Sequence, residues 1–324
     1  MHKNNSRQSG AVLIMLLFVF SLLLTALYMQ QISPVQIRLE RSQTTQQALM
    51  EAKTSLMGRA ILDENRPGSL PCPDANNDGS ADLFYGNRCP SYIGRFPWRT
   101  LSIPALQDAD GETLWYALSA NYRDHSAVMP LNTHSPGLLS VDAQSDVVAI
   151  VFSAGAPLAH QSGRPSTNLT DYLEGKNADA DNLFSAAKSA SHNDRLISIT
   201  RSELMQKIER RALAEAASAL QYYFANPAHT YFPYAALLSN QCESELLLSG
   251  YIPTLNTSCP SAMPVMAAWF NDNAWADLMR YEVAAACVKS FPNCSGSGFI
   301  ADAGIENVRV RLTMFGSGQK RIIQ

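Results

Sequence analysis

The sequence has little net charge of either sign. Its 25 lysine and arginine residues nearly balance 28 aspartate and glutamate residues, and only 16% of all residues are charged. Proteins that bind nucleic acid present a basic patch or stripe to the phosphate backbone. The overall composition provides no such feature, and we expect no nucleic acid partner.

Motifs of nucleophilic and phosphate-binding enzymes are also missing. Gly-x-Ser-x-Gly does not occur, and no motif supplies a histidine base for Ser153, although that residue lies in a Phe-Ser-Ala-Gly segment. The segment that begins at Gly163 lacks the lysine and the spacing of a phosphate-binding loop. Asp108, Asp110 and Glu112 are more simply interpreted as a charged turn than as a carboxylate site. We therefore predict that the protein is not an enzyme.

Cysteine is present, but without the spacing of a metal site. The sequence has no Cys-x-x-Cys, and none of its six histidines lies at zinc-finger spacing. The six cysteines form three pairs that are close in sequence, and an oxidising compartment would favour a disulfide in each. Other pairings stay open, because sequence alone does not determine connectivity. The favoured pairs are Cys72 with Cys89, Cys242 with Cys259, and Cys287 with Cys294.

The N-terminus combines a basic start with an apolar stretch. Lys3 and Arg7 precede the uncharged positions 11–29, and a helix over those positions is roughly 28 Å long, close to the hydrocarbon thickness of a bilayer. Basic residues before a span keep the N-terminus in the cytoplasm. The sequence therefore predicts a single-pass protein of the bacterial inner membrane, with a transmembrane helix at 11–34 and a periplasmic body.

The junction before the apolar stretch resembles a processing site. Residues 7–14, Arg-Gln-Ser-Gly-Ala-Val-Leu-Ile, resemble the leader of type IV pilins and pseudopilins. In that family a prepilin peptidase cuts after the glycine and methylates the new N-terminus, which implies Gly10 as the last leader residue and Ala11 as the first mature residue. Most members have glutamate at the fifth mature position, where this sequence has Met15, as in the glutamate-less minor pilins and pseudopilins. A cleaved secretory signal fits less well, because no small-x-small site follows Met29. An uncleaved signal anchor stays an alternative.

The two halves of the chain resemble each other. Residues 48–56 match residues 212–220, and each half continues with a cysteine pair and then with apolar segments in the same order. A tandem duplication accounts for this order better than chance. The predicted division is a leader at 1–10, the transmembrane helix at 11–34, a first pilin-like module at 35–200 and a second at 201–324.

The expected fold class is α+β. Apolar residues near helical spacing at 35–60 predict that the first helix continues as a spine, kinked or melted at Pro34. A second helix is expected at 201–224, with Ser202 as its N-cap. Short strands with short connections predict antiparallel pairing. The predicted fold is thus a transmembrane helix followed by two tandem pilin-like modules, each a helix packed on a small antiparallel sheet, and residues 66–116 resemble a group of prepilin-type envelope proteins.

The loop that follows Cys72 resembles part of a calcium site. Asp74, Asn76, Asp78 and Asp82 occupy positions one, three, five and nine of an EF-hand-like loop, with glycine at position six. Position twelve holds tyrosine in place of the bidentate carboxylate, so the site would need another ligand from Asp108 or Asp110, or bind weakly. The alternative is a surface turn that satisfies its own backbone. We predict calcium as the one cofactor.

Together these features predict a minor pilin or pseudopilin. Such a protein is a subunit of a type IV pilus or type II secretion filament, and two tandem heads favour a low-copy tip or priming position. The expected partners are other pilins or pseudopilins, bound through the N-terminal helix, together with the prepilin peptidase and the inner membrane. The alternative is a signal-anchored periplasmic binding protein or adhesin that never enters a filament.

Overall fold

The computed structural model describes residues 8–31, 34–125, 130–161, 163–179, 181–189, 191–254, 259, 262–289, 294 and 309–323. These residues form a mixed α/β structure with four α-helices and two β-sheets. The helices are α1 (Gln8–Gln31), α2 (Pro34–Leu62), α3 (Arg201–Ala225) and α4 (Ala268–Asp272). The strands are β1 (Ile93–Arg95), β2 (Trp115–Leu118), β3 (Leu139–Val141), β4 (Gln144–Ser153), β5 (Leu183–Phe184), β6 (Arg195–Thr200), β7 (Ser249–Tyr251), β8 (Met279–Val283), β9 (Val310–Met314) and β10 (Lys320–Ile323).

The structure contradicts the predicted fold class in its first element, the transmembrane helix. Among the described residues, no helix is both long enough and apolar enough to cross a membrane. The predictions of a transmembrane helix at 11–34 and of a single-pass inner-membrane location are therefore wrong. Positions 1–7 of the predicted leader lie outside the described residues.

The first sheet packs against α2. Strands β1, β2, β4 and β6 pair antiparallel in that order, while β3 pairs with the first residues of β4 and carries β5 in parallel. The helix faces β4 and β6 with a stripe whose members recur every three or four residues. The buried members of that stripe are Thr45, Ala48, Leu49, Ala52, Leu56, Met57 and Ala60.

The second sheet packs against α3. Strands β7, β8, β9 and β10 pair antiparallel in sequence order, and α3 contacts β9 and β10. The helix begins one residue after Thr200, whose side chain accepts a hydrogen bond from the backbone N–H of Glu203. Thr200 is therefore the N-cap, and the prediction of Ser202 is wrong. The Thr-x-x-Glu spacing of a capping box, which begins at Thr200, carries this signal.

The two units repeat one backbone arrangement. Gly94 lies opposite Tyr116 between β1 and β2, and Gly250 lies opposite Tyr281 between β7 and β8. Each of these strand pairs is followed by one turn of 3₁₀ helix, at Ala120–Tyr122 and at Ala285–Cys287. Strand order β1-β2-β4-β6 therefore corresponds to β7-β8-β9-β10.

The repeated segments before these strands can be aligned by their hydrogen bonds. Leu70 N donates to the carbonyl of Tyr122, and Phe232 N donates to the carbonyl of Cys287, both at 2.7 Å. Residues 70–74, Leu-Pro-Cys-Pro-Asp, thus correspond to 232–236, Phe-Pro-Tyr-Ala-Ala.

This alignment changes the interpretation of the cysteine repeat. Cys72 corresponds to Tyr234, and Cys242 lies further along the chain. The two cysteine pairs share a separation of 17 residues but are not equivalent positions in the repeat.

One continuous apolar core joins the two units. It contains residues of α2, α3 and both sheets. Arg211 of α3 donates to the carbonyls of Ile61 and Asp63 at the end of α2, the latter at 2.7 Å. Such a contact satisfies carbonyl groups that a helix C-terminus leaves without partners.

A buried asparagine adds a polar connection between the units. Asn273 accepts a hydrogen bond from Leu131 N at 2.9 Å, while its amide nitrogen donates to the carbonyls of Trp269 at 2.8 Å and Asn65 at 3.3 Å. Its backbone carbonyl also accepts from Asn132 Nδ2 at 2.9 Å.

The outer faces of the two sheets differ. Segments between β2 and β6 cover the outer face of the first sheet and form a second apolar core around Trp115, Phe152 and Tyr172. The corresponding face of the second sheet is charged, because Glu282 pairs there with Arg280 at 2.9 Å and with Arg311. These covering segments have no counterpart among the described residues of the second unit, and we call them the added segments of the first unit.

Candidate functional sites

Helix α1 exposes an unbroken apolar surface. The large side chains from Val12 to Leu24 are between 46% and 71% exposed. Its hydroxyl groups do not interrupt this character, since Ser21 donates to the carbonyl of Phe18 and Thr25 to that of Ser21. A helix that is apolar on all sides is normally buried on all sides. The described part of the chain leaves that surface uncovered.

The predicted processing residues lie in the first turns of α1. Gly10 is helical, and a Cβ atom placed on it would meet nothing within 4 Å. Glycine inside a helix costs about 0.5–1 kcal/mol relative to alanine. The described contacts therefore give no packing reason for glycine at position 10. Ala11, which follows it, is exposed.

The predicted calcium loop is closed by its own hydrogen bonds. The buried carboxylate of Asp74 accepts from Gly79 N at 2.6 Å and from Asp78 N at 3.3 Å. Asn76 Oδ1 accepts from Asp78 N at 3.0 Å, and the Asp82 carboxylate accepts from Ala75 N at 3.3 Å. These contacts are those of the alternative interpretation, a turn that satisfies its own backbone.

Two carboxyl groups of this loop have shifted pKa values. Burial raises the pKa of Asp82 above its usual range, and the neighbouring charges of Asp74 and Asp78 act in the same direction. Hydrogen bonds from Ser80 N and from the Asn76 amide lower the pKa of Asp78. The loop thus holds three acidic groups close enough to interact.

The glycine of the calcium pattern has a packing reason of its own. Gly79 has a φ of +86°, and a Cβ atom there would lie 2.4 Å from Cε2 of the Trp98 side chain. Gly79 O also accepts from Arg99 N at 2.7 Å. The two residues considered as extra calcium ligands are engaged elsewhere, since Asp108 accepts from Ser153 and Asp110 pairs with Arg41.

Calcium binding to this loop therefore stays a prediction. It is tested by comparing the melting temperature of the full chain with and without calcium, beside the variant Asp78→Ala. An increase with calcium that the variant lacks would support the site. Equal melting temperatures with and without calcium would favour the alternative, a turn that satisfies its own backbone.

The sulfur atoms of all three favoured cysteine pairs are bonded. The bonds join Cys72 to Cys89, Cys242 to Cys259 and Cys287 to Cys294, with S–S distances of 1.97, 2.10 and 2.11 Å. The first bond spans the Asp74 loop, whereas the third extends from the 3₁₀ turn that follows β8. The local pairing expected from the sequence agrees with this arrangement.

The hydroxyl of Ser153 is not presented to solvent. This residue ends β4, is 2% exposed, and donates to Asp108 Oδ2 at 2.7 Å. The same carboxylate accepts from the backbone N–H of Gly155 at 3.0 Å, and its other oxygen accepts from those of Asp110 and Glu112. Asp108 therefore fastens the end of β4 to the turn before β2.

A cluster that the sequence analysis missed lies in the added segments of the first unit. One ligand atom from each of Glu174, His192 and Asp194 lies within 4.8 Å of the others. Glu174 and Asp194 are buried, and burial raises the pKa of Asp194 well above its usual range. The His-x-Asp spacing at 192–194 was its only local signal, because Glu174 lies 18 residues earlier in sequence.

Comparisons with models of protein families, with curated proteins and with solved structures find no match to this chain. The fold and these sites define a chain of two helix-on-sheet units that share one core and extend into an exposed apolar helix.

Proposed function

We propose that this chain is a minor pilin or pseudopilin, a low-copy subunit that enters a filament through its N-terminal helix. The observation that carries the proposal is the apolar surface of α1, which is exposed from Val12 to Leu24. Burial of one such side chain is worth roughly 1.5–3 kcal/mol. The occupant we propose for this surface is a bundle of the N-terminal helices of other pilins.

The geometry supports a bundle more than a single partner. A helix that is apolar all round needs cover on every side, which several parallel neighbours provide and one docking surface does not. Helix α2, in contrast, buries one stripe on the first sheet and exposes the rest. The chain thus has one helix suited to a filament core and one suited to its own globular body.

The proposal includes processing at Gly10. The open space around this residue means that packing does not explain the glycine. Recognition by a prepilin peptidase would explain it. Mass spectrometry of the protein from its natural cells tests this step. A mature chain that begins with methylated Ala11 is expected, and an intact Met1 would contradict it.

Filament entry is tested with a charge placed on α1. Leu17→Lys adds a charge to a side chain that is 62% exposed, and the desolvation of that charge opposes helix packing. The matched control, Gln46→Lys, adds the same charge to an exposed position of α2. We expect Leu17→Lys to abolish co-sedimentation with filaments and Gln46→Lys to preserve it. If Leu17→Lys co-sediments with filaments as the wild type does, the proposed role of α1 is wrong.

A further inference from the structure

The added segments of the first unit bury two negative side chains beside a histidine. Glu174 is 3% exposed and Asp194 is 1% exposed. Among the described residues, neither carboxylate forms an ion pair with lysine or arginine. Arg164, the arginine of this segment, pairs instead with Glu112 at 3.4 Å. Buried charges are normally paired, bound to a metal or neutralised by a proton.

The hydrogen bonds around the cluster leave acceptors without donors. Asp194 Oδ2 accepts from Glu174 N and from Asn177 Nδ2, both at 3.0 Å. Asp194 Oδ1 is buried and has no donor within the described part of the chain. The amide nitrogen of Asn177 has two hydrogens but lies near three acceptors, namely Asp194 Oδ2, His192 Nε2 at 3.2 Å and Ser185 O at 3.1 Å. Asp194 Oδ1 is therefore an unused acceptor in this cluster.

The other contacts orient the carboxylate of Glu174. Glu174 Oε2 accepts from the backbone N–H groups of Asn193 and Asp194, at 3.0 and 3.2 Å. Its Oε1 atom accepts from Gln161 Nε2 at 2.6 Å. Carboxylate ligands of protein metal sites are typically hydrogen-bonded in this way. Oε2 accepts two hydrogen bonds, whereas Oε1 accepts one and keeps a lone pair for an ion.

We propose that Glu174, His192 and Asp194 bind one divalent metal ion of the zinc type. Carboxylate oxygen and imidazole nitrogen are both ligands of Zn²⁺, at bond lengths of about 2.0–2.2 Å, and the imidazole favours a zinc-type ion over Mg²⁺ or Ca²⁺. The ion offsets both buried charges at once and fastens residue 174 to residues 192–194. The ligand atoms, now within 4.8 Å of one another, close to about 3.3 Å in a tetrahedral site. This inference is independent of the proposed filament role.

The test measures Zn²⁺ binding to the full chain after removal of metal with a chelator. Calorimetry should show one equivalent bound, and the melting temperature should rise with Zn²⁺ as binding to the folded state requires. His192→Gln and Asp194→Asn should each weaken binding about tenfold or more. His160→Gln is the matched control, because this histidine is exposed and lies in the same added segments. It should bind Zn²⁺ as the wild type does.

Other outcomes overturn the proposal. A wild type that binds no Zn²⁺ overturns it, and if Asp194→Asn then also melts at or above the wild-type temperature, a proton shared by the carboxyl groups replaces the metal. Wild-type affinity in both ligand variants would also overturn it. Near-ultraviolet circular dichroism checks the fold of Asp194→Asn, and half-buried His192 provides a second variant that disturbs the core less.

Discussion

The two helix-on-sheet units have the same backbone arrangement and differ in the loops and segments attached to it. Both keep a glycine opposite a tyrosine, the same strand order and a 3₁₀ turn after the second strand. Asp74 of the first unit corresponds to Ala236 of the second, so the second unit lacks the acidic loop. The first unit alone also has the described segments that cover its outer sheet face. The shared features build the core, whereas both candidate polar sites, the Asp74 loop and the Glu174 cluster, lie in parts that only the first unit has among the described residues.

The covering segments explain why the outer strand residues differ. In β2 the outward Trp115 and Ala117 belong to the second apolar core. In β8 the outward Arg280 and Glu282 form an ion pair. Alternation along a strand sends every second residue to one face. The first unit thus places apolar residues on its outer face, whereas the second unit places an ion pair there, in which Glu282 is only 6% exposed.

The largest expected effect concerns the connection between the units. Asn273→Ala should lower the free energy of unfolding by about 3 kcal/mol, because Leu131 N and buried carbonyls lose their partners. Denaturant unfolding followed by fluorescence and circular dichroism measures it. Asn271→Ala, at an exposed position nearby, should change stability little.

This variant also tests whether the units are one cooperative body. Their shared core predicts a single transition in the wild type. Coincident transitions by both probes are expected there, and Asn273→Ala should move the units towards separate transitions. Two clear transitions in the wild type would contradict the single body.

The second effect compares the paired glycines. A Cβ atom on Gly94 would lie 2.8 Å from Asp74 O, and one on Gly250 would lie 2.7 Å from Ala236 O. Both close approaches involve backbone atoms, which cannot rotate away. Gly94→Ala and Gly250→Ala should each cost about 1–3 kcal/mol, measured by chemical denaturation. A large loss in one variant and none in the other would break the equivalence of the two units.

The third effect is the loss of stability when each of two buried tyrosine hydroxyl groups is removed. Tyr281 OH donates to Pro233 O at 2.8 Å, whereas Tyr116 OH donates to Pro71 O at the longer distance of 3.3 Å. Removal of a buried hydrogen bond costs about 1 kcal/mol. Tyr281→Phe should therefore destabilise by about that amount and Tyr116→Phe by less, as thermal unfolding would show. The reverse order would mean that the distances do not rank these bonds.

The sequence predicts the repeated elements better than their additions. The apolar spacing of α2 and α3 and the apolar runs of β4 and β9 are local patterns, so they can be found without the fold. The cysteine spacing gave a wrong alignment of the two halves. Both pairs are separated by 17 residues, but they lie at positions that do not correspond in the backbone.

The candidate sites show the same limit. The Asp74 loop is contiguous, and its pattern was visible in the sequence. The cluster of Glu174, His192 and Asp194 is not contiguous, because Glu174 meets the other two residues only after the added segments fold over the first sheet. The prediction of a membrane span relied on the length of one apolar run, whereas no helix among the described residues meets the combined length and apolarity that a span requires.

The smallest expected effect is a gain of stability in α2. A Cβ atom on Gly58 would meet nothing within 4 Å, and alanine is favoured over glycine inside a helix by about 0.5–1 kcal/mol. The matching position in α3, when residues 48–56 are aligned with 212–220, is Tyr222, whose side chain is 82% exposed. Both units thus leave this side of the helix open, and Gly58→Ala should raise the midpoint of denaturant unfolding slightly. A loss of stability would instead show that α2 needs its glycine for a contact that α3 does not make, which would be a further difference between the two units.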